Sequence, residues 1–412
     1  EQWYGDFLAE VGAARIGERR LVELTRRYGI ATIKAFIEAW FAYSERRMCD
    51  AIKKMPDGKL SNITYYDPLP PILPDGLPIR VDIVVDTAAG YIDVDLTRNS
   101  DNLAFGLNES LACATSNAMC GVFNCMDPDV PHNAGSFSRV RVALREGCLT
   151  GIPKFPHSCS LATTNIGDRI VNVTQAAFAA IGDGHGLAEG AIGMGAGAGV
   201  ISGNDWRRNG PFINQEWLIT NGGPATPISD GWLNYGLPVA AGLMYRGSVE
   251  VDESKYPILV KHLRVIPGGG GAGRWRGAPG SDLVYGPRRE RMMVVISCDG
   301  QVNPPQGVRG GHPGPAAATF KCDRDGNWTK LPGVVECELE PGEWVRGLDA
   351  GGGGYGDPLE RDPARVCHDV LERWETAARA REVYGVVLTG SADDDTLAVD
   401  VVATSRLRAA LI

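Results

Sequence analysis

Six histidines, at 132, 157, 185, 262, 312 and 368, are the only side chains whose ordinary titration range straddles neutrality. None stands in H-x-H, H-x-x-D or H-E-x-x-H spacing, so no metal-ligand constellation is legible in them. The most suggestive is His185, two residues from Asp183 in the glycine-permitted string Asp183-Gly184-His185-Gly186. Asp93 and Asp95 share one face of a strand, where paired carboxylates either hold a cation or proton or simply face water. Ser158, Ser160, Thr163 and Thr164 place hydroxyls near His157, but without a nucleophile-elbow pattern they do not spell a serine hydrolase. The ten cysteines contain no C-x-x-C. Cys120 and Cys125 lack a second ligand pair, so the spacing favours buried thiols over zinc or a disulfide framework. Residues 268–273 carry the letters G-x-G-x-x-G. They run into Arg274-Trp275-Arg276-Gly277, a poor helix start, and no Walker sequence occurs, so this chain offers no nucleotide site of its own. The alternation of glycine with Met or Ala at 193–199 reads as a loop that another backbone or a ligand can approach closely.

These residues must be positioned by elements of two periods. Apolar positions Phe7, Val11, Ile16, Leu21 and Leu24 mark a helix over 6–28 with Gly29 as its stop, and a second helix runs over 31–54 to the turn at Pro56-Asp57-Gly58. Alternation at Ile79, Val81, Ile83 and Val85, then Tyr91, Asp93 and Asp95 after Ala89-Gly90, predicts a β-hairpin. Residues 108–126 and 166–181 read as helices, the first poor in charge and expected to be buried on most sides, with a strand at Val140, Val142 and Leu144 between them. Short strands broken by Gly and Pro fill 182–349. Helical patterning returns over 362–374 and 376–382, and the run Asp393-Asp394-Asp395 is expected to open a last exposed helix. The expected division is a helical segment 1–56, an α+β segment 57–181, a β-rich glycine-rich domain 182–350 and a C-terminal helical segment 351–412. The fold class is α+β, irregular and multi-layered.

The 412 residues are 44% hydrophobic and 22% charged, which excludes wholesale disorder. Glycine is the outlier, 53 residues or about 13% against a usual ~7%. A net charge of -9 argues against a nucleic-acid or anionic lipid partner. The longest uncharged apolar-leaning stretch, 231–245, is too short to cross a bilayer, and the first seven residues carry no export signal, so a cytoplasmic protein is expected. The N-x-S/T triplets at Asn62, Asn108, Asn172 and Asn327 then count as chance matches.

Several strings together resemble the hydantoinase B family, which includes the B subunit of N-methylhydantoinases, the C-terminal half of 5-oxoprolinase, and acetone and acetophenone carboxylase subunits. They are RIGERRL at 15–21, DLTRNS at 95–100, Asn108, PHNAGSF at 131–137, Tyr256-Pro257, GGGAGRWRG at 269–277, GGGGYGDP at 351–358 and REVYGVVL at 381–388. The resemblance implies a hydantoinase B-like fold and work beside an A-type subunit that binds and hydrolyses ATP with magnesium. Phosphorylation of an amide or enol oxygen by that partner would activate the substrate. The family's metal-binding His and Asp motifs precede the region that opens this chain, and no counterpart appears in it. A divalent metal, zinc or manganese, is therefore expected on a segment absent from this chain, either supplied by a separate polypeptide, removed by cleavage or lost together with its metal, and no metal is expected within it. A second departure is the apolar Ala240-Ala241-Gly242-Leu243-Met244-Tyr245, where many members have a polar stretch, which implies a more hydrophobic substrate.

Residue by residue, the resemblance nominates Asn108 and Asn133 in G-x-x-N and N-x-G-x-F contexts, Glu216 before Gly222-Gly223, and Asp230 before Gly231 as substrate-binding positions. His185 joins them on the strength of its glycine-permitted loop, and no catalytic residue is assigned. The expected activity is opening of a cyclic amide, a hydantoin, 5-oxoproline or lactam. ATP-dependent ketone carboxylation is the alternative. A non-catalytic scaffold is a further one, under which alanine at Asn108, Asn133 or Glu216 leaves the complex active.

Overall fold

The computed structural model describes residues 2–159, 164–219, 221–240 and 244–411. Helices α1 (Gln2–Tyr28) and α2 (Ile30–Ile52) open the chain, followed by strands β1 (Gly58–Tyr66), β2 (Leu77–Asp86) and β3 (Tyr91–Asp95). Helix α3 (Leu111–Phe123), the single turn α4 (Ala134–Phe137), strand β4 (Val140–Ala143) and helix α5 (Ile166–Ala177) come next. The middle supplies β5 (Val200–Asp205), β6 (Gly210–Gln215), α6 (Val249–Lys255), β7 (Ile258–Val265), β8 (Ser281–Pro287) and β9 (Met292–Ser297). Strands β10 (Ala318–Cys322), β11 (Trp328–Lys330), β12 (Val334–Leu339) and β13 (Trp344–Leu348) come after them. Helices α7 (Pro363–Leu371) and α8 (Ala377–Glu382), the short strands β14 (Leu388–Thr389) and β15 (Ala398–Val399), and helix α9 (Val401–Leu411) end it. The mixed, irregular α+β class expected from the sequence is the one the chain adopts. Strands β1 to β4 form one sheet in that order, as the alternating Leu77, Ile79, Val81, Ile83 and Val85, all buried, require.

The chain divides into two compact units. The first holds residues 1–57, 85–92 and 126–141. Gly29, at φ +78°, breaks the long helical run between α1 and α2 as the sequence predicts. Within it, Gly135 sits so close to the Phe41 carbonyl that no side chain fits, and Arg139 pairs with Glu45 at 2.6 Å.

The second unit holds everything else. Its side-chain core lies on two antiparallel sheets, β11-β10-β13-β8-β7 and β12-β9-β5-β6, and gathers Ile201, Leu283, Tyr285, Val294, Ile296, Leu339 and Val345. Beside this core runs a layer made of backbone alone. Gly271 N–H donates to Gly352 O (2.8 Å), Gly352 to Ala278 O (3.0 Å), Ala278 to Gly223 O (3.0 Å), and Gly354 to His312 O (3.0 Å). A β-carbon on Gly351 would run into the Gly269 carbonyl, and one on Gly352 into that of Gly223. The G-x-G-x-x-G letters at 268–273 are part of this layer and start no helix. Residues 193–199 are likewise a packed loop, with Gly193 against the backbone of Asp299 and Gly197 against Ile219.

Two helix expectations shift, and a further helix lies outside them. The one expected over 108–126 is α3, Leu111–Phe123, because the Asn108 side chain is spent on loop carbonyls and Ser110 Oγ caps Cys113 N–H at 3.2 Å. Six of its thirteen residues are buried and four half-buried, and only Leu111, Ala112 and Ser116 are exposed, so it is covered on most sides. The Asp393-Asp394-Asp395 run forms a turn closed by Thr396 N–H on Asp394, and the last helix waits for Asp400 to cap Ala403. The α6 helix, begun by a Ser248 cap, carries too short a pattern in its seven residues to be legible in the sequence.

Gly352→Ala is expected to lower unfolding stability by about 3 kcal/mol or more, because the added carbon has only backbone to displace. Gly17→Ala, in open space on α1, is expected to raise it by about 0.5–1 kcal/mol. Thermal unfolding of the two variants beside the parent checks both signs.

Candidate functional site

The five nominated residues occupy separate settings, and among the described residues no hydrogen bond or ion pair joins any two of them. In the first unit, Asn133 caps α4: its Oδ1 accepts from Gly135 N–H (2.9 Å) and its Nδ2 donates to Ser44 Oγ (2.7 Å). The rest lie in the second unit. Asn108 is fully buried, accepts from Leu103 N–H (2.7 Å) and donates to the carbonyls of Leu103, Phe105 and Ser158. His185 offers its carbonyl to the Tyr355 hydroxyl (2.9 Å), while neighbouring Asp183 is tied to Arg274 at 2.6 Å. Asp230 takes both Nη atoms of buried Arg361 (2.6 and 2.8 Å) and the Arg276 N–H. Burial pushes the Asp230 carboxyl up, and the Arg361 guanidinium more than reverses this, holding it below the usual range. Asp95 accepts from Thr97 N–H, an ordinary strand-end contact. The expected apolar lining at 240–245 and the hydroxyls of Ser160 and Thr163 fall largely or wholly outside the described residues.

Glu216 differs from the other four. It is fully buried, its Oε1 accepts from Asn214 Nδ2 (3.2 Å), and its carboxyl pairs with that of Asp252 in a hydrogen bond in which Glu216 holds the proton. Burial, helped by the charge of Asp252, pushes its carboxyl up to about 7.

A concentration of unmet groups lies where α3 and α5 run side by side in the same direction. Close approach at Gly121, whose missing β-carbon leaves room for Thr174, and the Asn124 to Gln175 hydrogen bond (2.9 Å) hold the two helices together. All twelve residues of α5 are buried. Its Asn165 gives no side-chain cap: the Oδ1 accepts from Thr164 Oγ1 (3.2 Å) while the amide donates to the hydroxyls of Tyr66 (3.2 Å) and Ser297 (3.0 Å). At the second residue of α5, Gly167 is bare on the side facing α3. A β-carbon there would lie 2.5 Å from Asn117 Nδ2 and 3.2 Å from Glu109 Oε1. Beside it, Asp168 Oδ1 accepts from Val239 N–H at 3.0 Å.

Glu109 and Asp168 are fully buried and Asn117 is 6% exposed. Among the described residues, both Glu109 oxygens, Asn117 Nδ2 and Asp168 Oδ2 have no hydrogen-bond partner. Burial pushes the Glu109 carboxyl up to about 8. Burial also lifts Asp168 well above the carboxylate range, against the Val239 N–H, with the charges of Asp299 and Glu109 adding to the rise. Cys120, beside them, is raised to about 11 by burial and by Asp168.

The next residue shows that this is a local condition. Arg169 grips Asp299 through Nε (2.8 Å) and Nη2 (3.0 Å), and Asp67 takes the N–H groups of Gln301, Val302 and Asn303. That network is satisfied, whereas Glu109, Asn117 and Asp168 are not. Buried polar atoms usually find a partner, and others in this chain, among them Thr174 Oγ1 and Tyr384 Oη, also lack one, so the concentration at one place rather than the lack itself sets this group apart. The sequence signal for this trio is thin: Asp168-Arg169 inside an apolar helical run announces buried charge, but nothing in the string pairs it with Glu109 and Asn117. Among the described residues, no group of three His, Cys, Asp or Glu could hold a metal ion.

An acid with a raised folded-state pKa keeps its proton when folded while the unfolded chain has already released it, so it costs stability as pH rises through that window. For Glu109 the window runs from its ordinary value near 4.5 to about 8. Glu109→Gln is expected to melt close to the parent at pH 5 and above it by a few degrees at pH 8, read from thermal midpoints at the two pH values.

The hydantoinase B/oxoprolinase family profile matches residues 1–358. The caprolactamase subunit beta of Pseudomonas jessenii is 28% identical over 412 residues, covering 96% of this chain and 68% of that protein. The acetophenone carboxylase delta subunit of Aromatoleum aromaticum is 25% identical, covering 95% of this chain and 61% of its own length. The crystal structure of the ATP-dependent caprolactamase from Pseudomonas jessenii superposes with a TM-score of 0.82 at 26% identity, over 98% of this chain and 69% of that one. The chain thus spans about two thirds of the length of these proteins, and with the profile running through most of its residues it belongs to the hydantoinase B/oxoprolinase family.

Proposed function

We propose that this chain is the B-type subunit of a heteromeric ATP-dependent amidohydrolase that opens a cyclic amide, a hydantoin, 5-oxoproline or lactam. The observation that carries this reading is the alignment with caprolactamase subunit beta along 96% of the chain, matched in three dimensions at a TM-score of 0.82. ATP with magnesium acts on an A-type partner, in keeping with the lack of any Walker sequence here. There, phosphorylation of the amide oxygen prepares the ring for attack by water. A divalent metal, zinc or manganese, is held by a segment outside these 412 residues and stabilises the developing oxyanion when bound.

Within this chain the buried Glu109, Asn117 and Asp168 form the substrate-facing group. Of the positions nominated from sequence, we keep Glu216 as a second substrate-facing carboxyl because it is buried and pushed up to about 7, paired only with another carboxyl, Asp252, and the Asn214 amide. Asn108, Asn133 and Asp230 we assign to scaffolding, their polar atoms being engaged, and His185 to its loop. Among the described residues no helix is long and apolar enough to cross a membrane. All ten cysteines are free, which supports a reducing compartment such as the cytoplasm.

Ketone carboxylation is the second reading, favoured by the likeness to the acetophenone carboxylase delta subunit. The expected outcome for the complex purified through a tag on this chain is ATP turnover coupled to a ring-opened acid, with no need for bicarbonate. Product analysis on a panel of hydantoin, 5-oxoproline and ε-caprolactam, with acetophenone and bicarbonate alongside, checks it. A carboxylated product would move the assignment to the second reading.

A further inference from the structure

One carboxylate on the sheet β11-β10-β13-β8-β7 gathers more cations than it can neutralise. Asp282 on β8 stands opposite Arg264 of the edge strand β7, and Arg346 reaches it diagonally from β13. The Asp282 side chain is 4% exposed and takes Arg264 through Nε (3.2 Å) and Nη2 (2.9 Å) and Arg346 through Nε (2.7 Å) and Nη2 (3.0 Å), with His262 Nε2 3.1 Å away. Burial pushes the Asp282 carboxyl up, and the hydrogen bonds from Arg346, Arg264 and His262 more than reverse this, holding it at about 2. Among the described residues, neither arginine side chain makes a hydrogen bond or ion pair with any other group, so Nη1 of each is left over together with one positive charge.

That surplus borders a cavity of about 620 Å³, whose apolar lining comes from Val265, Ile266, Pro267, Leu348 and Trp374. The remaining charges on its wall are occupied or exposed: Arg373 pairs with Asp393 (3.0 Å), and Glu372 is exposed, with His368 Nε2 4.0 Å away. A clasp that only tied the strands together would need one arginine. Holding a second on the same carboxylate sets like charges side by side, a cost that a further anion removes. A phosphate dianion brings more charge than the single surplus. A carboxylate brings one, and its two oxygens match the parallel N–H groups of a guanidinium. The apolar lining suits an uncharged hydrocarbon body behind that carboxylate. We propose that this cavity binds a small organic monocarboxylate, its carboxylate on Arg264 and Arg346 and its hydrocarbon part against Leu348 and Trp374. The site is one of binding without chemistry, and it does not rest on the amidohydrolase reading.

The test is titration calorimetry on the intact complex, without nucleotide and in a buffer low in chloride. Hexanoate is the probe, beside hexanamide as its neutral counterpart, acetate as its truncated one, and inorganic phosphate. Hexanoate is expected to bind, with hexanamide and acetate each weaker by about tenfold or more and phosphate weaker as well. Arg264→Gln and Arg346→Gln are each expected to weaken hexanoate by about tenfold or more. Arg264 is 65% exposed on an edge strand, so its variant is expected to melt with the parent. Thermal midpoints of both variants separate lost binding from lost folding, and Arg264→Gln carries the test if Arg346→Gln fails to fold.

Hexanoate that does not bind the complex would overturn the proposal, leaving the surplus charge to salt or to an acidic side chain of a partner. Hexanamide within about threefold of hexanoate would remove the carboxylate clamp, and acetate within about threefold would remove the hydrocarbon subsite. Phosphate bound more tightly than hexanoate would mark a general anion site. Hexanoate binding that survives Arg264→Gln in a folded variant would place the probe elsewhere. Each of these outcomes overturns the proposal, and none of them bears on whether the complex opens a ring.

Discussion

Backbone laid directly against backbone is the constraint on which the second unit depends. The segments through Gly222 and Gly223, Gly269 to Ala278, His312 and Gly351 to Gly354 bond sideways through their peptide groups, with carbonyls where β-carbons would otherwise stand. Glycine loses more conformational freedom on folding than any other residue, so such a layer is costly in entropy. The offset comes from the satisfaction of every N–H that reaches a carbonyl in dry surroundings, together with the apolar sheets alongside. Nothing there can be enlarged in small steps, because no flexible side chain stands ready to yield. The glycine excess in the composition is the visible trace of this requirement.

A rigid layer of that kind has few side chains with which to build a site, and the polar chemistry is displaced onto its borders. Two treatments of buried charge then appear. Asp230 with Arg361 and Asp369, and Asp299 with Arg169, are closed circuits in which each carboxylate faces a guanidinium. A buried pair of this sort contributes little net stability, since desolvation consumes most of the attraction, but it resists rearrangement because breaking one side strands the other. Glu109 and Asp168 have no such partner, and their proton affinities rise accordingly. The same fold thus fixes its frame with satisfied charges and leaves unsatisfied ones beside it.

Much of the frame was legible in the sequence, because it rests on periodicity and on glycine. The hairpin at Ile79 to Asp95, the Gly29 break and the paired helices at 111–123 and 166–177 come from local pattern. Where reading failed, a local competitor won: Asn108 drew the start of α3 into a loop, and the Asp393 run closed on Thr396 in a turn. The site was far less legible. Motif matching led to Asn108 and Asn133, whose amides have all the partners they need, while the residue next to Asn108 carries a carboxyl with none. Being unsatisfied is a property of three dimensions. Glu109 is an ordinary letter until Gly167 and Asn117, about 58 and 8 positions away, arrive against it with no donor to spare.

The placement of Asp168 beside Arg169 resolves how a protein keeps such groups in position. Consecutive residues of a helix point about 100° apart, so the side chain that locks α5 and the one left unmet face different neighbours. Arg169 spends its donors on Asp299, Thr64 and the Asn303 carbonyl, and Asn165 spends its amide on Tyr66 and Ser297. These contacts fix the first turn of the helix from its far side. Relaxation that would let Asp168, or Glu109 across from Gly167, swing to a partner is thereby blocked. Binding groups held ready in this way lose little freedom when a ligand arrives, and the cost is carried by the folded protein in advance. The satisfied arginine is what makes the unsatisfied carboxyl tolerable.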